Sequence, residues 1–533
     1  MDQHNETFRF GSARAANERE LKKAGLYRQA DDSLFFGFMG KKPMFYSGMG
    51  GAVLIAGARS GKLTTCLAFN ACYGIAKHTL VFLDIKGEIA AISQYQVPDR
   101  KYCIYWNPLG LHFLPQHRIN PVDYIRKDSL SLVSDVKVLC ENLVVSSGSA
   151  QGIYFEGRAR EFLEGIILTL TETKGVLTLP DLYHVISLIP AGGDEWLDFG
   201  FEMSQCGFPI SRRIEEEIAK SRETSSNGFD GILGEIYRAV APLSDPVLMA
   251  SVSPPFDFSM RQLCESDQRY QLYLMPAAEM VSAWSGIIKA IFVAGMIYKA
   301  RAPQAPKQTW ILDECGQLGG FPMIPKLFTY GAGIGIQPFA VFQNTTQMDQ
   351  LAPKAGDLIS SSAALALYFA TRDLPSATQL SRMLGVQTLE YDDPRQQAAA
   401  QHAKSQAAQA ILSGNDPLRS ALEYRHQNEA ASRKTKQNRL LRTPDEIIMT
   451  PPDKGYAFVD GLAHPVFFDR RPYYEKKWMN GRWFPNPYHP PVDRVRVKTF
   501  WGYRTHMVRD VPAPANLAHY PQYACGRMRK IDL

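Results

Sequence analysis

Between Gly50 and Glu88 the chain reads GGAVLIAGARSGKLTTCLAFNACYGIAKHTLVFLDIKGE. An apolar run, a glycine-containing turn, a helix-compatible stretch and a second apolar run follow one another without a break. This order predicts a strand, loop, helix and strand of the parallel α/β kind, and it restricts the fold more than any other stretch. Apolar runs return at Tyr270–Pro276, Gln308–Glu314, Pro338–Asn344 and Ala363–Thr371. From about Ser129 to Leu248 the apolar spacing is instead helical, with Phe155, Phe162, Ile166 and Leu170 on one stripe. The pattern is an α/β domain interrupted by a mainly helical insertion.

The turn AGARSGKLTT stands directly between strand and helix, where an anion can meet free backbone N–H groups and the positive end of a helix. Gly57 and Gly61 permit close approach of the backbone, and Lys62 supplies a point charge for β and γ phosphates. The strict phosphate-loop pattern fails twice, because Ala56 holds the first glycine position and Leu63 stands where a hydroxyl would meet Mg²⁺. A second signal lies in QTWILDECGQLGG, where an apolar run ends in Asp313 and Glu314. Such a pair organises a metal's water and activates an attacking one. The same residues are also favoured as helix caps. The two halves in order, with a further run ending in Gln343 and Asn344, point to a nucleotide-hydrolysing core.

Composition bears on where such a core works. Hydrophobic residues make up 45% of the 533 and charged residues 21%, as in soluble globular chains. The eight cysteines show no C-x-x-C pair and no zinc spacing, which fits a reducing compartment and no structural metal. The first residues lack the apolar core of a signal peptide. The best membrane candidate, Met280–Ala300, carries Lys289 near its middle and reads as a buried helix. The net charge is +6, yet from Arg470 onward thirteen Lys and Arg face four carboxylates. The tail therefore carries +9 and the remaining chain −3. Its cations and aromatics suit the phosphates and bases of a single strand, but the reading that leads is a Pro-rich arm whose aromatics pack on the motor or the next subunit, with the cations solvated.

The chain resembles the conjugative coupling proteins of type IV secretion systems, the TraG/TraD class of RecA-like motor ATPases. The likeness rests on collinear blocks: GSARAANERELKKAGL (Gly11–Leu26), AGARSGKL, VFLDIKGEIAAIS (Val81–Ser93), the Asn-Pro segment around Asn107, YFEGRAREFLEGIIL, GILGEIYRAVAPLSDP, ILDECGQLGGFPMIP, FQNTTQM, TRDLPSATQLSRMLG and RLLRTPDEI. They run from about Gly11 to Asn486. The resemblance implies an α/β, RecA-like P-loop domain with an inserted all-α domain, divided as residues 1–125 and 263–392 for the motor, 126–262 for the helical insertion, 393–442 for a polar helical pair or linker, 443–472 for final motor strands and 473–533 for the basic tail.

It further implies ATP and Mg²⁺ as cofactors, with Gly57, Arg59, Ser60, Gly61, Lys62, Leu63, Thr64 and Thr65 around the phosphates. Asp313 would organise Mg²⁺ through water, Glu314 would polarise the attacking water, and Gln343 would sense the γ-phosphate. Asp84, Lys86 and Glu88 would lie nearby, and Arg372 would be either an arginine finger or a surface partner of Asp373 or Glu390. Expected partners are single- or double-stranded DNA, relaxosome or effector proteins, secretion-channel components at the inner membrane, and five further copies in a hexamer.

Three departures stand out. Leu63 replaces the family's glycine after the lysine, which puts hydrolysis in question more than binding. Ala332 in TYGAGIG replaces an arginine. The amino-terminal spans are missing, so the chain is expected to be cytoplasmic and peripheral to the membrane, as a truncated form or as a relative docked on a membrane-bound partner. Two functions follow: a coupling ATPase that moves DNA, or a nucleotide-binding, weakly hydrolysing adaptor that docks protein substrates or a partner coupling protein on the channel. A metabolic P-loop enzyme is disfavoured by the absence of any small-substrate motif.

Overall fold

The computed structural model describes residues 8–144, 150–224, 227–391, 394–412, 422, 425 and 435–532. Two amino-terminal strands, β1 (Leu34–Met39) and β2 (Lys42–Tyr46), precede the apolar strand β3 (Ala52–Ala56). Then come β4 (Thr79–Leu83) and β5 (Lys101–Trp106), and after a long helical excursion β6 (Arg269–Leu274), β7 (Gln308–Leu312), β8 (Ile336–Phe342) and β9 (Leu365–Phe369). A two-stranded ribbon pairs β10 (Val386–Tyr391) with β11 (Thr435–Leu440), and β12 (Lys454–Val459) and β13 (Val466–Asp469) return to the main sheet.

That sheet has eleven strands in the order β2-β1-β13-β12-β9-β3-β8-β7-β4-β6-β5. From β9 to β5 every neighbour pair is parallel, and the strands β3, β4, β7 and β9 are buried at every residue. Continuous Val, Ile, Leu and Phe runs are what a sheet covered on both faces requires. The four strands beyond β9 are antiparallel, and the edge strand β2 carries Lys42 and Pro43. At the other edge, Gln522 of the tail bonds Cys103 N at 2.9 Å and Lys101 O at 3.2 Å, so a side-chain amide stands in for a further strand.

The excursion between β5 and β6 is helical, and its longest member spans Ala150–Lys174. Phe162, Ile166 and Leu170 are buried there, and Phe155 packs against the same core. Met280–Ala300 contributes the helix Ser285–Arg301, which is buried nearly all round because it lies beneath the sheet. Lys289 within it sits 5.9 Å from the Phe321 ring, and burial lowers its ammonium to about 8. Among the described residues no helix is long and apolar enough to cross a membrane.

Two stretches differ from the sequence reading. The polar Gln/Ala-rich segment begins as a helix, Pro394–Leu412, but its end is strand β11, held by full antiparallel pairing with β10. The tail is ordered as well: β14 (Arg494–Thr499), β15 (Gly502–Pro512) and β16 (Arg527–Ile531) form a separate sheet. Its alternation is that of a half-buried strand, with Val495 and Val497 in and Arg494 and Arg496 out. The inward face joins Phe35, Phe38, Phe69, Tyr473, Trp483 and Phe484 in one apolar cluster. Much of the tail's aromatic content therefore packs on the motor, whereas Phe500 and Trp501 at the β14–β15 turn stay exposed.

Candidate functional site

The sequence-predicted residues converge because β3, β8 and β7 are adjacent and parallel. The glycine loop follows β3, Gln343 follows β8, and Asp313 and Glu314 follow β7, so all leave the carboxyl edge of one sheet. That edge is where parallel α/β folds bind ligands. Asp84 follows β4, the next strand outward.

Lys62 joins the two halves. Its Nζ is 2.7 Å from Asp313 Oδ1 and 2.9 Å from Glu314 Oε1, and the three side chains are only 18%, 20% and 16% exposed. Burial opposes charge on Lys62, but the two carboxylates outweigh it and hold the ammonium above its usual value. The carboxylates differ. Burial pushes Asp313 up, while Glu314, although also penalised by burial, is held below its usual value by Lys62. Glu314 also accepts a bond from Gln317 Nε2 at 2.5 Å. Glu314 takes up left-handed backbone at φ 52°, a cost that persists only where surroundings enforce it.

The loop itself is similarly constrained. Arg59 is exposed and left-handed at φ 58°, and Gly61 follows at φ 79°. A Cβ on Gly57 would stand 3.3 Å from Ala370 O, so the loop lies against the end of β9. Ser60 Oγ is buried without a hydrogen-bond partner among the described residues. After Lys62 the chain enters a π-helical turn, Leu63–Leu67. Thr64 and Thr65 both donate their hydroxyls to Gly61 O, at 3.2 and 2.8 Å. Leu63 is half-buried against two apolar clusters and offers no oxygen.

Around this centre, Asp84 is buried, accepts Ala90 N–H at 2.8 Å, and is pushed up to about 8 by burial. Glu88 is raised by burial as well, against the pull of Lys86 and His489. Lys86 is exposed, and its carbonyl receives Tyr488 Oη at 3.4 Å. Arg372 lies three residues beyond the β9 end and is exposed. It makes no ion pair among the described residues: Asp373 caps the helix Leu374–Leu384 and Glu390 pairs with Lys436.

One residue at the loop escaped the sequence reading. Arg470 entered there only as a tail cation, yet it is 2% exposed, donates Nη1 to Ser60 O at 2.8 Å and Nη2 to Pro452 O, and stacks 4.3 Å over Phe369. Burial lowers it to about 10. Its only sequence signal is a place directly after the apolar VFFD of β13.

With this geometry in place, comparison with known proteins is direct. Two conjugal transfer proteins TraG from Escherichia coli are 23% identical over 429 residues and 22% identical over 524. The matches take in 71% and 87% of this chain, and span 64% and 76% of those proteins. Among solved structures, the plasmid coupling protein TrwB in complex with ADP and Mg²⁺ aligns with a TM-score of 0.58 at 15% identity, over 86% of this chain and 93% of that one. TrwB with a non-hydrolysable GTP analogue gives the same score over 88% and 97%. The chain thus has the expected α/β P-loop fold with its helical insertion. The sequence profile of the family described as Type IV secretory system Conjugative DNA transfer matches residues 9–491. Matched over most of its length, the chain belongs to that family.

Proposed function

We propose that the protein is a coupling ATPase that uses nucleotide hydrolysis to move DNA toward a secretion channel. The observation that carries this reading is the meeting of Lys62 with Asp313 and Glu314 at the carboxyl edge of adjacent strands. Gly57–Thr65 and the helix start behind it would cradle the phosphates, with Lys62 leaving its carboxylates for the β and γ groups. Released from Lys62, Glu314 is the group to take a proton from the attacking water, held in place by Gln317, with Gln343 as the γ-phosphate sensor. The TrwB complex with ADP and Mg²⁺ supports the same cofactors here.

The donor set suits Mg²⁺ that arrives with the nucleotide. This ion keeps several waters and needs one or two carboxylates besides phosphate oxygens. Asp313 would hold it through water, and its chemistry there is neutralisation of phosphate charge. Single- or double-stranded DNA is the expected cargo, alone or with relaxosome proteins. A homohexamer beside channel components of the inner membrane is the expected assembly, and exposed Arg372, which makes no ion pair among the described residues, would meet a neighbour's phosphates.

A second reading is favoured by Leu63 and by the engagement of both threonine hydroxyls with Gly61 O. It is an adaptor that binds nucleotide, hydrolyses it weakly and docks protein substrates. Phosphate release by the wild type and by Lys62→Ala, each with and without single-stranded DNA, separates the two. The motor reading expects DNA-stimulated turnover that Lys62→Ala abolishes, and four equal background rates leave only the adaptor.

A further inference from the structure

Beside the phosphate loop the tail walls off a cleft of about 620 Å³, a volume within the range of small-ligand sites. Thr64 lines it together with Tyr474, Trp483, Asn486, His489 and Arg496. Tail and loop are joined by packing, since Tyr473 and Trp483 share an apolar cluster with Ala68 and Phe69 of the loop's own helix. Trp483 is 6% exposed, and its indole N–H has no acceptor among the described residues. A buried donor without an acceptor is costly and needs an explanation. Asn486 turns Oδ1 back onto Tyr488 N at 2.9 Å, which leaves its amide N–H groups for a ligand. Arg496 lies beyond residue 491, where the family match ends.

We infer that this cleft receives the nucleoside half, base and ribose, of the nucleotide whose phosphates the Gly57–Thr65 loop holds. The inference rests on the proposed phosphate site. In such loops the lysine reaches the β and γ groups, so the nucleoside departs on the side away from Lys62. Thr64, two residues on, lines the cleft. A purine ring needs an aromatic face to stack on and donors for its ring nitrogens, and Tyr474 and the Asn486 amide are of those kinds. The tail then completes the nucleotide site of its own subunit.

Titration calorimetry of the full chain with Mg-ATP and with inorganic tripolyphosphate tests this. Lys62→Ala is expected to weaken both ligands. Tyr474→Ala, at a half-exposed position, is expected to weaken ATP about tenfold. Asn486→Ala, which removes the amide donor, is expected to weaken it about fivefold. Neither tail variant should change tripolyphosphate binding. Unaltered ATP affinity in both variants overturns the inference, and so does an equal loss for both ligands. A wild type that binds neither ligand overturns the phosphate site as well, which separates the two failures.

Discussion

Replacing Lys62 by methionine removes the one cation that, among the described residues, faces Asp313 and Glu314 at hydrogen-bond distance. At 2.7 and 2.9 Å each contact is worth about 6 kcal/mol of attraction at an effective dielectric of about 20. Desolvation of the three groups offsets most of it. Removing one partner of a fully buried pair costs about 3–5 kcal/mol, and the partial exposure of these side chains lowers the expectation to about 2–3 kcal/mol. The loss depends on pH. Glu314 is depressed in the folded chain, so its contribution is present above its unfolded value and disappears as pH falls. Lys62 is raised, so its contribution holds until pH passes the ordinary lysine range.

The gap between wild type and Lys62→Met should therefore be full from about pH 7 to 9. It should narrow toward pH 5, because burial already holds Asp313 high and the variant can protonate it. Thermal unfolding is the assay, with a midpoint about 2–3 °C lower at pH 8 and roughly half that at pH 5. Adding Glu314→Gln to the variant removes the like charge and should recover part of the loss. An equal gap at both pH values, or no recovery in the double variant, would refute the account of Lys62 as a clamp between two carboxylates.

Two other outcomes follow from the same site. Leu63→Ser restores a hydroxyl beside Lys62 and should raise the rate of Mg²⁺-dependent phosphate release several-fold, and an unchanged rate would mean that water already fills that place. Arg470→Lys keeps a cation but lacks the planar fork that reaches both Ser60 O and Pro452 O. It should speed amide exchange across residues 57–65, and unchanged protection there would show that the loop holds its shape without Arg470.

The parallel core was legible because strands buried on both faces have no polar alternation to hide them: β3, β4, β6, β7, β8 and β9 stand out as apolar runs. The loop and the Asp313–Glu314 pair were legible for the same reason, each being the polar end of such a run. What lay outside the reading depends on contacts distant in sequence. Thr435–Leu440 is a polar segment that becomes a strand only through its partner Val386–Tyr391. The tail's period-2 pattern around Val495 and Val497 was masked by its charge and aromatic content. Arg470 could not be told from a solvated tail cation until β13 placed it against a loop 410 residues away.

The ends of the main sheet have a consequence for assembly. Pro43 cannot donate to a further strand, Lys42 places a charge at the β2 edge, and Gln522 already occupies backbone groups of β5. Neither border invites another copy to continue the sheet. In the proposed ring, copies would therefore meet through surfaces other than the main sheet's borders, and contacts of that kind could tilt and slip during the proposed hydrolysis cycle without breaking the main sheet's backbone hydrogen bonds.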